Sequence, residues 1–384
     1  MRAYLDHAST TPMAPEAVEA MVPFLADRFG NPSGGHRESR RARRAVDDAR
    51  EQLAALLGCD FSELVFTSGG TEADNLAVMG GWEAVAAARP SPPALVCAAM
   101  EHHAVLHACR ALAQRTGAEL REVPTAKDGI VDLDALAEVC TPEVGLVSVM
   151  TVNNEIGTLQ PVAAVARLVR DRAPSALFHT DAVQAVVWTD VGARTAPADL
   201  VAVSAHKFGG PQGIGALVVR DGVPLRPLIH GGGQERDRRS GTPNVAGIVA
   251  MGAALTVAHE ARPETVARVA GLRDRLGDGL LASVTGATET AAREQIVAGH
   301  LHLRFAGLDQ EALVILLDQA GVSVSAGAAC ASGAVEPSHV LVSMGLRPEE
   351  AAGGIRFSLG PTTTGAEIDH ALAVVPAAVA QLRD

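Results

Sequence analysis

The chain has 384 residues, a length that predicts two or so domains with a large buried core. Its formal net charge of −12 comes from 32 basic and 44 acidic residues, and this balance argues against broad, direct binding to nucleic acid. No apolar run reaches the 18 or so residues that cross a bilayer, and residues 1–7 lack an apolar signal core, so we expect a cytoplasmic protein without a membrane partner.

The first elements are an extended arm and two helices. Residues 4–12 form the arm, and we predict helices over residues 15–27 and 37–57. The second helix is rich in arginine, a feature also typical of nucleic-acid binding. Acidic residues interleave with these arginines, so a solvated helix face is the favoured interpretation. The cluster comprises Arg37, Arg40, Arg41, Arg43, Arg44 and Arg50.

A short strand, a glycine turn and a helix come next. The strand Leu64–Thr67 runs into residues 68–75, which read Ser-Gly-Gly-Thr-Glu-Ala-Asp-Asn. This arrangement presents backbone N–H groups and a helix N-terminus to an anion such as a phosphate. Taken alone the signal is weak, because any strand-to-helix turn can require glycine.

Strands and helices then alternate as far as residue 219. Together with Leu64–Thr67 the strands predict a seven-stranded, mostly parallel α/β sheet with helices on both faces, the last tight connection being antiparallel. Ligands of such sheets bind beyond the carboxyl ends of the strands. The remaining predicted strands are Ala94–Ala98, Ala118–Val123, Gly145–Met150, Ala176–Thr180, Asp199–Ser204 and Gly215–Val219, and the helices are Gly70–Ala88, His103–Arg115, Asp132–Cys140 and Val162–Arg172.

Two polar residues at neighbouring strand ends point to one cofactor. Asp181 ends the strand Ala176–Thr180, and Lys207 follows the strand Asp199–Ser204. Burial lowers the pKa of a lysine toward the free amine that attacks a carbonyl, and a nearby carboxylate keeps the ring nitrogen of pyridoxal phosphate (PLP) protonated. The pair therefore predicts PLP. The alternatives are a surface lysine, a helix N-cap at Asp181 and a solvated first-turn residue at Gln184.

Four further residues are candidates for the same site. His102 could lie flat on the cofactor and move protons, or simply begin a helix, and Asn154 could donate to cofactor or substrate, or sit in an ordinary turn. Thr242 could reach a phosphate or cap the following helix. Arg356 lies in a predicted strand, where its guanidinium could bind the α-carboxylate of an amino acid or form a surface ion pair.

The five cysteines contain no C-x-x-C pair, so neither a disulfide framework nor a metal site is expected. Cys330 lies among small residues in a segment, 322–333, that we expect to be an exposed, mobile loop with its thiol available as a nucleophile. The others are expected to be buried and inert, and they are Cys59, Cys97, Cys109 and Cys140.

The pattern changes at about residue 256 to long helices rich in Ala, Arg and Leu with a few strands. We therefore predict a large domain over residues 16–255. A smaller α+β domain is predicted from residues 1–15 and 256–384, and it carries the cysteine loop.

Nearly the whole chain resembles a cysteine desulfurase, a member of the class-V branch of the fold-type I PLP enzymes. Ala331 departs from the family, which usually has threonine there, and we expect little effect. The resemblance is carried by residues 10–12, 29–33, 66–75, 101–102, 153–157, 179–184, 204–207, 231–235, 239–242 and by Cys330 ahead of residues 336–341.

The resemblance implies a role for each candidate. Lys207 would bind the cofactor covalently, Cys330 would accept the sulfur, and His102 would donate a proton. Thr242 would come from the other subunit of a homodimer. The resemblance further implies that Gly70, Thr71, Ser204 and His206 hold the phosphate, that Asp181, Gln184, Asn154 and His102 surround the ring, and that Arg356 with Asn154 binds the substrate carboxylate.

The activity implied is conversion of L-cysteine to L-alanine with a persulfide on Cys330. That sulfur would pass to an acceptor protein, an iron–sulfur scaffold or a tRNA thiolase. The alternatives are a PLP-dependent selenocysteine lyase or C–S lyase, which would not need Cys330, and a non-catalytic scaffold with the same fold.

Overall fold

The structure is a computed structural model that describes residues 1–326 and 337–383. These residues form a seven-stranded central sheet, a three-stranded sheet and a two-stranded sheet. The strands are β1 (Ala3–Tyr4), β2 (Leu64–Thr67), β3 (Ala94–Ala98), β4 (Leu120–Val123), β5 (Val144–Ser148), β6 (Leu177–Asp181), β7 (Leu200–Ser204), β8 (Gly215–Val219), β9 (Ala287–Glu289), β10 (His300–Phe305), β11 (Val322–Ser323) and β12 (Gly354–Ser358).

The central sheet confirms the predicted fold class. Its strand order is β2-β8-β7-β6-β5-β3-β4. The pairs from β7 to β4 are parallel, whereas β8 runs antiparallel to both β7 and β2. The tight connection between β7 and β8 is therefore the antiparallel exception that was predicted, and the carboxyl ends of the parallel strands meet at one edge.

Helices cover both faces of this sheet, which explains why its strands are apolar throughout. In β3, Val96 packs into one hydrophobic cluster, while Leu95 and Cys97 pack into the cluster on the opposite face. The helices are α1 (Pro15–Met21), α2 (Arg37–Leu57), α3 (Gly70–Asn75), α4 (Gly81–Ala86), α5 (His103–Thr116), α6 (Leu133–Val139), α7 (Val162–Arg172), α8 (Val191–Thr195), α9 (Val245–Ser283), α10 (Gln310–Gln319), α11 (His339–Ser343), α12 (Pro348–Ala351) and α13 (Gly365–Arg383).

The C-terminal part has a sheet and a hydrophobic cluster of its own. The antiparallel sheet β12-β10-β9 contributes Phe305 and Phe357 to this cluster, and α9 contributes Leu276. The N-terminal part of α9 packs instead against the central sheet, through Ile248. The predicted domain boundary between residues 255 and 256 thus falls inside one continuous helix, and the division itself stays a prediction.

Three local expectations need correction. The helix from Pro15 ends at Met21 and passes into a 3₁₀ turn, because Pro23 has no N–H to continue it. The helix predicted over residues 70–88 contains a π-helical segment between α3 and α4. Arg50 is not on a solvated face: it is buried, and its guanidinium lies 2.7 Å from the Glu235 carboxylate.

Among the helices of the described ranges, none combines the length and the hydropathy that a bilayer crossing requires.

Gly157 joins the central sheet region to the C-terminal sheet and supplies a test of the fold. Its N–H donates to Asn153, its carbonyl accepts from Val297, and its φ of 77° favours glycine. A Cβ at this position would lie 2.3 Å from the Cβ of His300. We expect Gly157→Ala to lower the free energy of unfolding by more than the 1–2 kcal/mol or so of backbone strain alone.

Gly307→Ala is the matched control for this substitution. Its φ is 76°, but a Cβ there meets nothing within 4 Å. Denaturant unfolding of both variants separates strain from steric overlap. Equal losses of stability in the two variants would show that the contact with His300 does not constrain the fold.

Candidate active site

One cavity of about 330 Å³ lies at the carboxyl ends of the parallel strands. Asp181 ends β6 and Ser204 ends β7, so the sheet itself brings these two residues to the cavity wall. The predicted site residues that line it are Gly70, Thr71, His102, Asn154, Asp181, Gln184, Ser204, His206, Lys207 and Arg356.

One end of the cavity is suited to a phosphate. Gly70 and Thr71 begin α3, opposite Ser204. A Cβ at Gly70 would lie 2.8 Å from Cγ2 of Val183 and 3.4 Å from Cβ of Ser204, so only glycine allows this close approach. Burial, together with Lys207, lowers the pKa of His206 to about 4, which leaves a neutral ring. Hydroxyl, imidazole and backbone groups are donors that an anion requires.

The cavity wall also contains a buried carboxylate. Asp181 is 5% exposed, and one of its oxygens accepts a hydrogen bond from Val183 N–H at 2.8 Å. The pKa of Asp181 is raised to about 7, mainly by burial and also by Asp74, against the opposing effects of Val183, His179 and Lys207. Because burial opposes the negative charge, a cation placed against this carboxylate would stabilise it.

Lys207 lines the cavity and contacts the N-terminal arm. Its Nζ donates to the carbonyls of Ala8 at 2.6 Å and Ser9 at 2.8 Å. The side-chain amide of Gln184 also donates to Ala8, at 2.8 Å. The arm therefore forms one wall of the cavity through its backbone, a contribution that carries no side-chain signal in the sequence.

His102 begins a helix, as one interpretation of the sequence had it, and its side chain also lies at the cavity. It is the N-cap of α5, where its Nδ1 accepts the N–H of Ala104 at 3.1 Å, and it also lines the cavity. The proton of the ring is therefore on Nε2. The pKa of His102 is lowered to about 4, mainly by burial and also by Lys207, His103 and His339.

Arg356 reaches the cavity from the C-terminal sheet. It lies in β12 and is 4% exposed, so its ion pair is buried and not on the surface. One guanidinium nitrogen donates to the Asn154 carbonyl at 2.8 Å, and another donates to the Asp6 carboxylate at 2.8 Å and to the Ser9 hydroxyl at 2.7 Å. These bonds hold the planar cation in one orientation.

Two predicted site residues do not line this cavity. Thr242 is exposed and lines a separate cavity of about 120 Å³, with Arg239 and Ser68. Cys330 lies outside the described residues. Of the other cysteines, Cys97, Cys109 and Cys140 are buried as predicted, whereas Cys59 is half-buried. Burial raises the pKa of Cys59 to about 12.

Asp74 is a residue of the cavity that the sequence reasoning did not single out. It is 1% exposed, and burial raises its pKa to about 8. A carboxylate oxygen of Asp74, one of Asp181 and a ring nitrogen of His102 all lie within 4.8 Å of one another. The available signal was its spacing, because Asp74 follows Gly70 by four residues and so shares its helix face.

This donor set fits PLP. Asp181 offers a buried carboxylate to a ring nitrogen, Lys207 offers an amine to an aldehyde, and His102 offers a flat ring beside them. Gly70, where a Cβ would collide, leaves room for a phosphate beside Ser204.

Comparison with known proteins gives the family. The model of the class-V aminotransferases matches residues 3–371. The chain belongs to this family, whose members of the cysteine desulfurase type depend on PLP. An IscS-like cysteine desulfurase of Mycobacterium tuberculosis is 44% identical, over 99% of this chain and 97% of that protein. A cysteine desulfurase of Cereibacter sphaeroides is 46% identical, over 100% and 97%.

Solved structures agree with this assignment. A NifS-like protein superposes with a TM-score of 0.91 at 35% identity, over the whole of both chains. SspA in complex with cysteine superposes with a TM-score of 0.81 at 31% identity, over 94% of this chain and 100% of that one. The matches cover the sheet, the N-terminal arm and the C-terminal part together.

The lowered pKa of His102 gives a test of the site's electrostatics. We expect the ring to stay neutral from pH 8 down to pH 5, because its pKa of about 4 lies below this range. Ring nitrogen shifts in histidine-labelled, cofactor-free protein would report this, with the signal assigned by its loss in His102→Gln. A titration midpoint near the ordinary value of 6.5 would contradict the burial that the structure gives this ring.

Proposed function

We propose that this protein is a PLP-dependent cysteine desulfurase that converts L-cysteine to L-alanine and holds the released sulfur as a persulfide on Cys330. The observation that carries the proposal is the convergence of Lys207, Asp181 and Arg356 on one cavity. Full-length similarity to proteins named cysteine desulfurase supports the same reaction.

The cofactor would be held at three points. Gly70, Thr71, Ser204 and His206 would bind its phosphate, Asp181 its ring nitrogen and Lys207 its aldehyde carbon. Gln184 and Asn154 would lie at the ring's edge, and His102 against its face. When bound, PLP withdraws electrons from the α-carbon of an amino acid attached to it, which weakens the bonds at that carbon.

The substrate's carboxylate would be bound by Arg356. A guanidinium matches a carboxylate in two parallel hydrogen bonds, and this one is already oriented by Asp6 and Ser9. Asn154 lies beside it in the cavity wall and would complete the carboxylate site.

Two groups of the chain would move protons. Lys207 Nζ, as the free amine, would take the α-proton of the substrate, and the Ala8 and Ser9 carbonyls that it now contacts would keep it positioned. The neutral His102 carries a proton on Nε2 and would supply it during carbon–sulfur cleavage. Both groups line the cavity.

Cys330 would take the sulfur directly. Its thiolate would form a sulfur–sulfur bond with the substrate while the carbon–sulfur bond breaks and its electron pair stays on carbon. A proton on that carbon completes L-alanine, so cysteine and one enzyme thiol give alanine and one persulfide.

Residues on either side of the Cys330 segment contact the site. Ser325 and Arg356 exchange two backbone hydrogen bonds, at 3.2 and 2.8 Å. His339 Nε2 donates to the carbonyl of Glu101, the residue before His102, at 2.8 Å. Cys330 is five residues from Ser325, and an extended chain spans about 3.3–3.6 Å per residue, so the cavity is within its reach.

We further propose a homodimer in which Thr242 serves the phosphate site of the partner subunit. Thr242 is exposed and lies apart from the cavity of its own chain, which supports this use. An exposed apolar stripe is suited to the interface, and it comprises Val18, Val22, Leu25 and Phe29. The persulfide would pass to an iron–sulfur scaffold or a tRNA thiolase, and labelled cysteine would trace which of them receives the sulfur.

Substitution of Cys330 tests the sulfur-transfer role. We expect Cys330→Ser to lose the persulfide and to keep the absorbance of the bound cofactor. Its rate of alanine formation should fall at least about a hundredfold. Mass spectrometry of the protein after incubation with cysteine, together with alanine quantification, measures both effects.

Cys59→Ser is the control, since Cys59 is half-buried and its thiol has a raised pKa. This variant should keep both persulfide and alanine. Unchanged alanine formation by Cys330→Ser would refute the assigned role and favour a lyase that does not use the cysteine.

Substitution of Asp6 tests how Arg356 is positioned. We expect Asp6→Asn to raise KM for cysteine about tenfold, equivalent to about 1.4 kcal/mol, because the guanidinium loses its charged partner. PLP affinity should stay the same, since Asp6 does not line the cavity. Steady-state kinetics and cofactor titration measure the two quantities.

Asp318→Asn makes the same change in an exposed ion pair with Arg2, whose side chains are 58% and 71% exposed. This control should leave KM unaltered, because exposed pairs contribute little. If Asp6→Asn behaves like Asp318→Asn, the Arg356 orientation does not depend on Asp6.

A further inference from the structure

Three buried carboxyl groups lie in the cavity wall or next to it, an unusual number because acidic side chains are rarely buried without a charged partner. Asp74, Glu101 and Asp181 are each at most 5% exposed. Burial raises the pKa of all three, and each of Asp74 and Asp181 raises that of Glu101 further. Two negative charges in such a volume repel each other, so the three cannot all ionise together.

A line of polar contacts connects two of these acids. Asp74 Oδ1 lies 3.5 Å from His179 Nε2, and His179 Nδ1 lies 2.9 Å from the Ser148 hydroxyl. Ser148 and His179 are directly opposite in the parallel register of β5 and β6. The Ser148 hydroxyl in turn donates to Glu101 Oε1 at 3.5 Å, which also accepts Met150 N–H at 2.7 Å.

The direction of these contacts decides where the protons are. Burial lowers the pKa of His179 to about 4, so its ring is neutral and carries one proton. If the Ser148 hydroxyl donates to Glu101, its oxygen accepts from His179 Nδ1–H. His179 Nε2 then presents a lone pair toward Asp74. If Asp74 were ionised, two hydrogen-bond acceptors would face each other and repel. A proton on Asp74 removes this conflict.

We propose that Asp74 is a positioning residue: it keeps its proton at neutral pH, donates it to His179 Nε2, and leaves Asp181 as the single negative charge at the ring-nitrogen end of the cavity. This inference rests on the proposed cofactor role of Asp181. Asp181 is the acid suited to ionise, because it accepts a backbone N–H and faces the cavity, whereas Asp74 Oδ1 has no hydrogen-bond partner among the described residues that would favour its charge.

The pKa of Asp74 also sets the pH range over which Asp181 would be the single negative charge. Its pKa of about 8 predicts that it stays protonated at pH 7 and ionises above pH 8, where its charge would act directly on Asp181. The titratable and charged groups around it come from β6, the residues after β3 and the segment after β7, and they are Asp181, His179, Glu101, His102 and Lys207.

Infrared spectroscopy of the full-length, cofactor-free protein tests this charge assignment without any catalytic readout. Glu101, whose pKa burial also raises, adds its own absorbance, so we expect one component of the carboxylic-acid carbonyl stretch, present at pH 7, to form a band that is lost with a midpoint near pH 8. Asp74→Asn should lack this band. Glu101→Gln is the control, since it removes another buried acid of the line and should keep the band.

PLP binding by two Asp74 variants tests whether this position must supply a neutral hydrogen-bond donor or a negative charge. An asparagine amide can donate to His179 Nε2 as a protonated carboxyl does, so Asp74→Asn should bind PLP within about threefold of the unchanged protein at pH 7. Asp74→Leu removes the donor and should bind about tenfold more weakly. Loss of PLP binding by Asp74→Asn, or an unchanged infrared titration, would overturn the proposal.

Thermal unfolding supplies a readout that a purely structural role would not move. The folded pKa of about 8 is above the ordinary 3.8, so the folded state is increasingly disfavoured as pH rises from about 4 to 8. We expect the gain in melting temperature of Asp74→Asn over the unchanged protein to grow between pH 5 and pH 8. A gain that is the same at both pH values contradicts the proposal, whereas a failure of the unchanged protein to bind PLP would refute the proposed function instead.

Discussion

The burial of the Asp181 carboxylate at the end of a central strand is the constraint on which the site depends. Taking a carboxylate out of water is unfavourable. The pKa of Asp181, raised to about 7, shows that the surrounding donors offset only part of this cost. The Val183 N–H and Lys207 act in its favour, while Asp74 acts against it. A cation placed at this point would therefore be stabilised, and the pyridinium of PLP would be such a cation.

The topology explains why the other groups meet that carboxylate. Parallel strands end at one edge, so residues that follow β3, β6 and β7 converge although they are far apart in sequence. Two further walls come from outside the central sheet: the arm supplies Ala8 and Ser9, and the C-terminal sheet supplies Arg356. The site thus lies where three parts of the chain join, so a substitution that displaces any of them would change the shape of the cavity.

Much of this was predictable, because strand ends leave a clear pattern in the sequence. Asp181, Lys207 and His102 each follow an apolar run, and the strand-end rule places them together. Ala8 was not predictable, since it contributes only a backbone carbonyl. Arg50 was wrongly expected to face solvent, because its partner Glu235 lies 185 residues away and no local pattern links the two.

The arm that contacts Lys207 also governs when the site can form. Its Asp6 binds Arg356, a residue 350 positions later, and β1 pairs with β11. During synthesis on the ribosome, the N-terminal arm is therefore complete long before the C-terminal residues that it contacts. The central sheet has its strands by residue 219, yet the pocket stays unfinished until synthesis is nearly complete. A nascent chain released early would have a folded sheet and an open, incomplete cofactor cleft.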